Sequence, residues 1–148
     1  MTALSHVQQF LAIKRLAMVG VSRNSKDFTR ALFEEFRRRD YDVLPVNPGA
    51  LELDGIRCYP DVQAIQPTVE GALVLTSAAQ SGEVVRRCHA AGIHSIWLYR
   101  ASADALAYCA ENGIRVVAGE CPFMFLPETA WFHRVHGFCR KLTGSYPA

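Results

Sequence analysis

Residues 15–39 read RLAMVGVSRNSKDFTRALFEEFRRR, and this stretch decides the fold. Its first part, residues 15–21, is a short apolar run interrupted by Gly20. Its last part, from Phe28 to Arg39, sets Ala31, Leu32 and Phe36 among charges at helical spacing. An apolar run, a polar turn opening on glycine and an amphipathic helix form the first half of a strand–helix–strand unit. The second strand follows at residues 41–46 (YDVLPV) and stops at Asn47-Pro48-Gly49, a strong turn signal.

The alternation continues outward from there. Residues 71–75 (GALVL), 95–99 (SIWLY) and 114–118 (IRVVA) read as further strands. Residues 81–91 and 103–111 read as helices, closed by Gly92 and by Asn112-Gly113. A helix over about residues 5–12 precedes the first strand, and an amphipathic helix over about residues 128–142 closes the chain. Strands this apolar, alternating with helices, imply a parallel sheet covered on both faces. Right-handed crossovers then give a doubly wound, Rossmann-like α/β sheet of about five parallel strands. The expected arrangement is a single domain with a core over about residues 15–122 and a C-terminal helical extension over about residues 123–148.

Composition agrees with this class. The chain has 148 residues, 50% of them hydrophobic and 20% charged, enough to bury a core. No apolar run reaches the roughly 18 residues that a membrane span needs. Residues 7–21 are broken by Gln8, Gln9, Lys14 and Arg15, unlike a secretory signal. A cytoplasmic protein is expected. The net charge of +2 is too balanced for nucleic acid to be the main partner. The five cysteines, Cys58, Cys88, Cys109, Cys121 and Cys139, include no C-x-x-C pair. They are expected to be reduced thiols, neither a zinc ribbon nor a disulfide framework.

Doubly wound sheets bind ligands outside the carboxyl ends of their strands, so the loops after each strand are the place to look. In the first of them, residues 20–29, a phosphate would meet backbone N–H groups and the helix dipole. Ser22, Ser25 and Thr29 offer hydroxyls there, and Arg23, Lys26 and Arg30 offer positive charge. The GxGxxG fingerprint is absent, because Ser22 and Ser25 stand at its second and third glycine positions. The second strand ends in Asn47-Pro48 rather than in the acid that a NAD enzyme places on its ribose. Asp54 and Asp61 lie further on and are simple turn residues in this reading.

Taken together, several segments resemble the Rossmann-type CoA-binding domain family. That family includes small stand-alone bacterial proteins and a domain of the succinyl-CoA synthetase α-subunit. The resemblance is carried by Met18-Val19-Gly20-Val21-Ser22, Val43-Leu44-Pro45-Val46-Asn47-Pro48, Gly55, Cys58-Tyr59-Pro60 and Ile96-Trp97-Leu98. Gly113-Ile114-Arg115-Val116-Val117 and Glu120-Cys121-Pro122 continue it, over roughly residues 16–122. What it implies is binding of coenzyme A or an acyl-CoA. On that implication Gly20, Val21 and Ser22, with Arg23 and Lys26, face the phosphates. Asn47, Pro48, Tyr59 and Pro60 border the adenosine, and Thr76, Ser77 and Ala78 line the opposite wall. Two departures stand out. Relatives often carry Gln and Gly after the Trp-Leu pair, where this chain has Tyr99-Arg100-Ala101. The segment after Pro122 belongs to a subset of relatives.

The remaining residues divide between sharp and plain readings. Cys121, past the fifth strand on the ligand edge, is either a thiol that meets bound CoA or a small buried turn residue. His133, His136 and Cys139 invite a metal reading, but at 100° per residue His133 and Cys139 point about 120° apart. No metal site is expected. Arg37-Arg38-Arg39 reads as cations at a helix C-terminus. The apolar residues 122–127 cover either a pantetheine arm or a dimer contact. No Gx-Ser-xG elbow or Cys–His arrangement appears, so no catalytic residue is assigned and a carrier, sensor or subunit role is expected. Two alternatives stay open. One is an NADP-dependent oxidoreductase with Arg23 on the 2′-phosphate. The other is an oligomeric interaction module working through the C-terminal helix, which also offers a homodimer or protein-partner surface.

Overall fold

The computed structural model describes residues 4–126. A first helix, α1 (Leu4–Leu11), leads into strand β1 (Arg15–Val19), helix α2 (Phe28–Arg38) and strand β2 (Asp42–Val46). A small antiparallel ribbon follows, β3 (Glu52–Leu53) and β4 (Ile56–Arg57). Strand β5 (Gly71–Val74), helix α3 (Ala78–Ala90), strand β6 (Ser95–Leu98), helix α4 (Ala103–Glu111) and strand β7 (Arg115–Ala118) complete the alternation. The five long strands form one parallel sheet in the order β2-β1-β5-β6-β7. The doubly wound α/β reading is therefore the observed fold. The helix expected over residues 128–142 lies outside the described residues, and so do His133, His136 and Cys139.

Strand alternation sorts the core into two layers. Leu16 and Met18 of β1, Leu73 of β5 and Trp97 of β6 point to one face. Val7 and Phe10 of α1 and Leu32, Phe33 and Phe36 of α2 cover them there. Ala17 and Val19, Ala72 and Val74, and Ile96 and Leu98 point to the other face. They are met by Val85 and Cys88 of α3 and by Ala105 and Cys109 of α4. Burial of both faces is why these strands lack the polar alternation of a half-exposed sheet.

Three local features add to or differ from the sequence reading. Helix α3 starts at Ala78 rather than Ser81, because Ser77 takes the extended N-cap conformation and Ala78, Ala79 and Gln80 are good helix formers. The β3–β4 ribbon was not anticipated. Its turn places Asp54 at φ 50° and Gly55 at φ 80°, the backbone of a type I′ hairpin, which an Asp-Gly pair favours. Phe123, Met124 and Leu126 are buried in the layer that also holds α1 and α2.

Two features finish the frame. At the end of α2, Glu35 pairs with both Arg38 and Arg39 at 2.6 Å, so much of the arginine run is engaged within its own helix. Beside β2, Tyr59 forms a parallel bridge with Val46. Its N–H donates to Pro45 O at 2.9 Å, and Asn47 N–H donates to Tyr59 O at 2.9 Å. The edge strand, which carries a proline, is thus partly covered.

Trp97 sits at the centre of the first layer, fully buried, edge-on to Phe10 and Phe125 with its Nε1 donating to Glu120 O at 2.9 Å. Trp97→Ala is expected to cost about 3–5 kcal/mol, since it opens a cavity and strands a buried carbonyl. Urea denaturation followed by far-ultraviolet circular dichroism checks this, and a loss under about 1 kcal/mol would contradict the packing described.

Candidate functional site

Strand order reverses between β1 and β5. The chain leaves β1 through α2 toward β2 on one side, then returns to β5 on the other. This switch point opens a crevice at the carboxyl edge, where ligands of such sheets bind. Gly20 lies there at φ 93°. A Cβ at this position would come within 3.0 Å of Thr76 Cγ2 and 3.1 Å of Thr76 N. Both the backbone conformation and the close approach require glycine. The sheet therefore lays the first loop directly against the loop after β5.

Much of the first loop is held by its own polar groups. Ser22 N–H donates to Thr29 Oγ1 at 2.8 Å, Asn24 N–H to Ser22 Oγ at 3.0 Å and Lys26 N–H to Asn24 Oδ1 at 3.0 Å. Asp27 caps α2, with its Oδ1 accepting from Thr29 N–H at 2.8 Å and from the Thr29 hydroxyl at 2.7 Å. Those two bonds hold the Asp27 carboxyl below its ordinary range, and the charge of Arg100 adds to the effect. The Thr29 hydroxyl, expected to serve a ligand, is thus engaged inside the turn. Among the described residues, the N–H groups of Arg23 and Ser25 have no intramolecular acceptor. The Arg23 and Lys26 side chains are exposed beside them. Arg30 does not join these two, because its side chain turns inward.

The second group of expected residues lies next to this turn. Asn47 Nδ2 donates to Val21 O at 2.9 Å and its Oδ1 accepts from Gly49 N–H at 2.7 Å, joining the loop after β2 to the loop after β1. Val21 itself is buried, while Pro48 and Pro60 are exposed. Tyr59 is half-buried, with the Arg57 guanidinium 4.6 Å from its ring centroid. Across the switch point, Thr76 is half-buried, and its Oγ1 is buried with no hydrogen-bond partner among the described residues. Ser77 is the N-cap of α3 but makes no side-chain cap bond, leaving that helix end open. Gly20, Val21, Ser22, Arg23, Lys26, Asn47, Pro48, Tyr59, Pro60, Thr76 and Ser77 are accordingly neighbours along one edge.

An aromatic wall continues this edge, and the sequence reading did not anticipate it. Phe28, the first residue of α2, stacks on Tyr99 with ring centroids 5.3 Å apart and packs edge-on against Phe123 at 5.7 Å. Arg100 lies over the Tyr99 ring at 5.1 Å. The only sequence signal was the departure at Tyr99-Arg100. Cys121 follows β7, the last strand at one end of the sheet order. It is 5% exposed and packs within the core. Burial pushes the thiols of Cys58 and Cys109 up, and that of Cys88 to about 12.

A family model of the CoA binding domain matches residues 14–127, a span that contains every one of these loops. The chain belongs to the CoA-binding domain family. CoA binding is that family's general property, and the fold is common ground with solved structures. A protein from Pyrococcus horikoshii OT3 is similar at 24% identity and a TM-score of 0.75, over 93% of this chain and 92% of its own. A Thermus thermophilus protein is similar at 22% identity and a TM-score of 0.68, over 80% of this chain and 89% of its own. A dinucleotide-forming acetyl-coenzyme A synthetase of Ca. Korarchaeum cryptofilum matches at 22% identity and a TM-score of 0.63. That match takes in 70% of this chain but 25% of the synthetase. These likenesses establish the fold of the CoA-binding domain. Among its described residues, no helix is long and apolar enough to cross a membrane, and no group of three or more His, Cys, Asp or Glu is placed to hold a metal ion.

The burial of Cys58, Cys88, Cys109 and Cys121 has a direct consequence. Treating the native protein with CoA disulfide should leave these four thiols unmodified, as read by peptide mass mapping, while unfolding in urea should expose all of them. A CoA adduct on Cys121 of the folded protein would support the redox reading of that residue.

Proposed function

We propose that this CoA-binding domain holds coenzyme A or an acyl-CoA at the β1–β5 switch point, through the turn that opens on Gly20. The observation that carries this reading is the turn itself. It is wedged against Thr76, closed from within by Asp27 and Thr29, and left with the N–H groups of Arg23 and Ser25 facing no internal acceptor. The pyrophosphate accepts from those N–H groups, and the Arg23 and Lys26 side chains supply charge to it or to the 3′-phosphate. The open N-terminus of α3 at Ser77 flanks the same space, with Thr76 as its wall. Asn47, Pro48, Tyr59 and Pro60 border the adenosine, the Tyr59 ring offering a stacking surface. Val46-Asn47 at the end of β2 brings no carboxylate to a ribose hydroxyl, which favours CoA over NAD.

The role assigned is carriage, sensing or delivery of the bound CoA rather than a reaction on it. In support, the described hydrogen bonds along this edge tie loop to loop and cap helices.

Calorimetric titration with CoA, and with NAD and NADP as controls, tests the reading at two salt concentrations. CoA should bind, more weakly at higher salt because the contacts are charged. Gly20→Ala should lower affinity at least about tenfold, since a Cβ displaces the turn from Thr76. Binding of NADP with none of CoA would overturn it.

A further inference from the structure

We infer that Arg30 is the positioning residue of this turn: its buried guanidinium grips the turn from behind and aims the Arg23 N–H at the ligand. The inference rests on the reading of residues 20–26 as the phosphate-binding turn. Arg30 is in the first turn of α2 and is 4% exposed. Its Nη1 donates to Arg23 O at 3.2 Å and more loosely to Ser22 O at 3.4 Å. Its Nη2 pairs with Asp54 at the hairpin of the β3–β4 ribbon. Its Nε has no partner among the described residues, so the charge is held by these three oxygens alone.

Peptide geometry turns that grip into aim. Ser22 C=O and Arg23 N–H belong to one planar trans peptide and point in opposite directions. With the carbonyl drawn inward to Arg30, the Arg23 N–H is directed to the opposite, open side, where it has no internal acceptor. The Arg23 carbonyl is drawn in likewise, and its Asn24 N–H is taken by Ser22 Oγ. A buried cation costs desolvation that an apolar residue would avoid, so its place behind an anion-binding turn calls for a task. Here the task is to set two peptide planes. Asp54 balances the charge and links the turn to the ribbon 24 residues further along the chain. Arg30 touches no ligand in this arrangement. It acts through Arg23.

Amide hydrogen exchange by NMR and CoA titration separate this role from simple packing, using the intact chain and its Arg30→Met, Arg30→Lys and Asp54→Asn variants. In the unliganded protein, the Ser22 and Asn24 amides, which are bonded to Thr29 Oγ1 and Ser22 Oγ, should exchange at least about tenfold faster in Arg30→Met, while core strand amides keep their protection. CoA should bind about tenfold more weakly and no longer shift the Arg23 amide proton as it does in the wild type. Arg30→Lys should recover part of both, because it keeps the charge without the two-pronged geometry. If Arg30→Met fails to fold, Asp54→Asn carries the test, with the same changes at smaller size. Wild-type exchange at Ser22 and Asn24 and unchanged CoA affinity in a folded variant would overturn the role of Arg30. A wild-type protein that binds no CoA would instead overturn the functional reading, whatever the amides show.

Discussion

The approach of Gly20 to Thr76 is the constraint on which the ligand edge depends. Two adjacent parallel strands, β1 and β5, send their chains away in opposite senses, and the backbones must pass at the point of parting. Without a side chain at Gly20 the first loop can lie on the second. With that contact made, the N-termini of α2 and α3 flank one crevice. Asn47 then reaches the Val21 carbonyl from the loop after β2, and Tyr59 follows it by pairing with the same strand. One missing Cβ at the switch point thus gathers residues from four separate segments.

Charge around this point is divided by direction rather than by residue type. Arg23 and Lys26 are exposed, Arg30 is drawn inward to Ser22, Arg23 and Asp54, and Arg100 lies on the aromatic wall over Tyr99. Asp27 adds a carboxylate at the helix end where a bound anion would otherwise serve as cap. The field of Arg100 offsets that carboxylate. The turn therefore holds its shape before any ligand arrives. Preorganisation of this kind lowers the ordering cost of binding.

Much of the fold was legible in the chain because burial on both faces leaves a plain signature. Apolar runs such as Gly71–Val74 and Ser95–Leu98 have no other economical explanation between helical patterns. The short ribbon was harder to see, since strands of two residues carry no periodicity and only the Asp54-Gly55 pair marks them. The start of α3 was misplaced because a serine before alanines reads equally as loop or as cap. Within the site, the glycine turn and the neighbouring loops were legible from their order after the strands. The inward turn of Arg30 and the internal use of Thr29 were not, since both depend on partners far along the chain or on the local path of the turn.

Taken alone, the sequence determined the sheet and its parallel sense, and its motifs carried the family resemblance. The sheet and its sense follow from local propensity, hydrophobic period and the handedness of crossovers, all of which act along the chain. Tertiary structure decided which of several similar side chains face that edge. Arg23 and Arg30 are alike in chemistry and seven residues apart, and only the path of the folded backbone places one in solvent and the other against three oxygens. It also buried Cys121 in the core and stacked Phe28 on Tyr99, 71 residues away. Direction and burial are properties of packing between distant segments, and a linear pattern does not encode them.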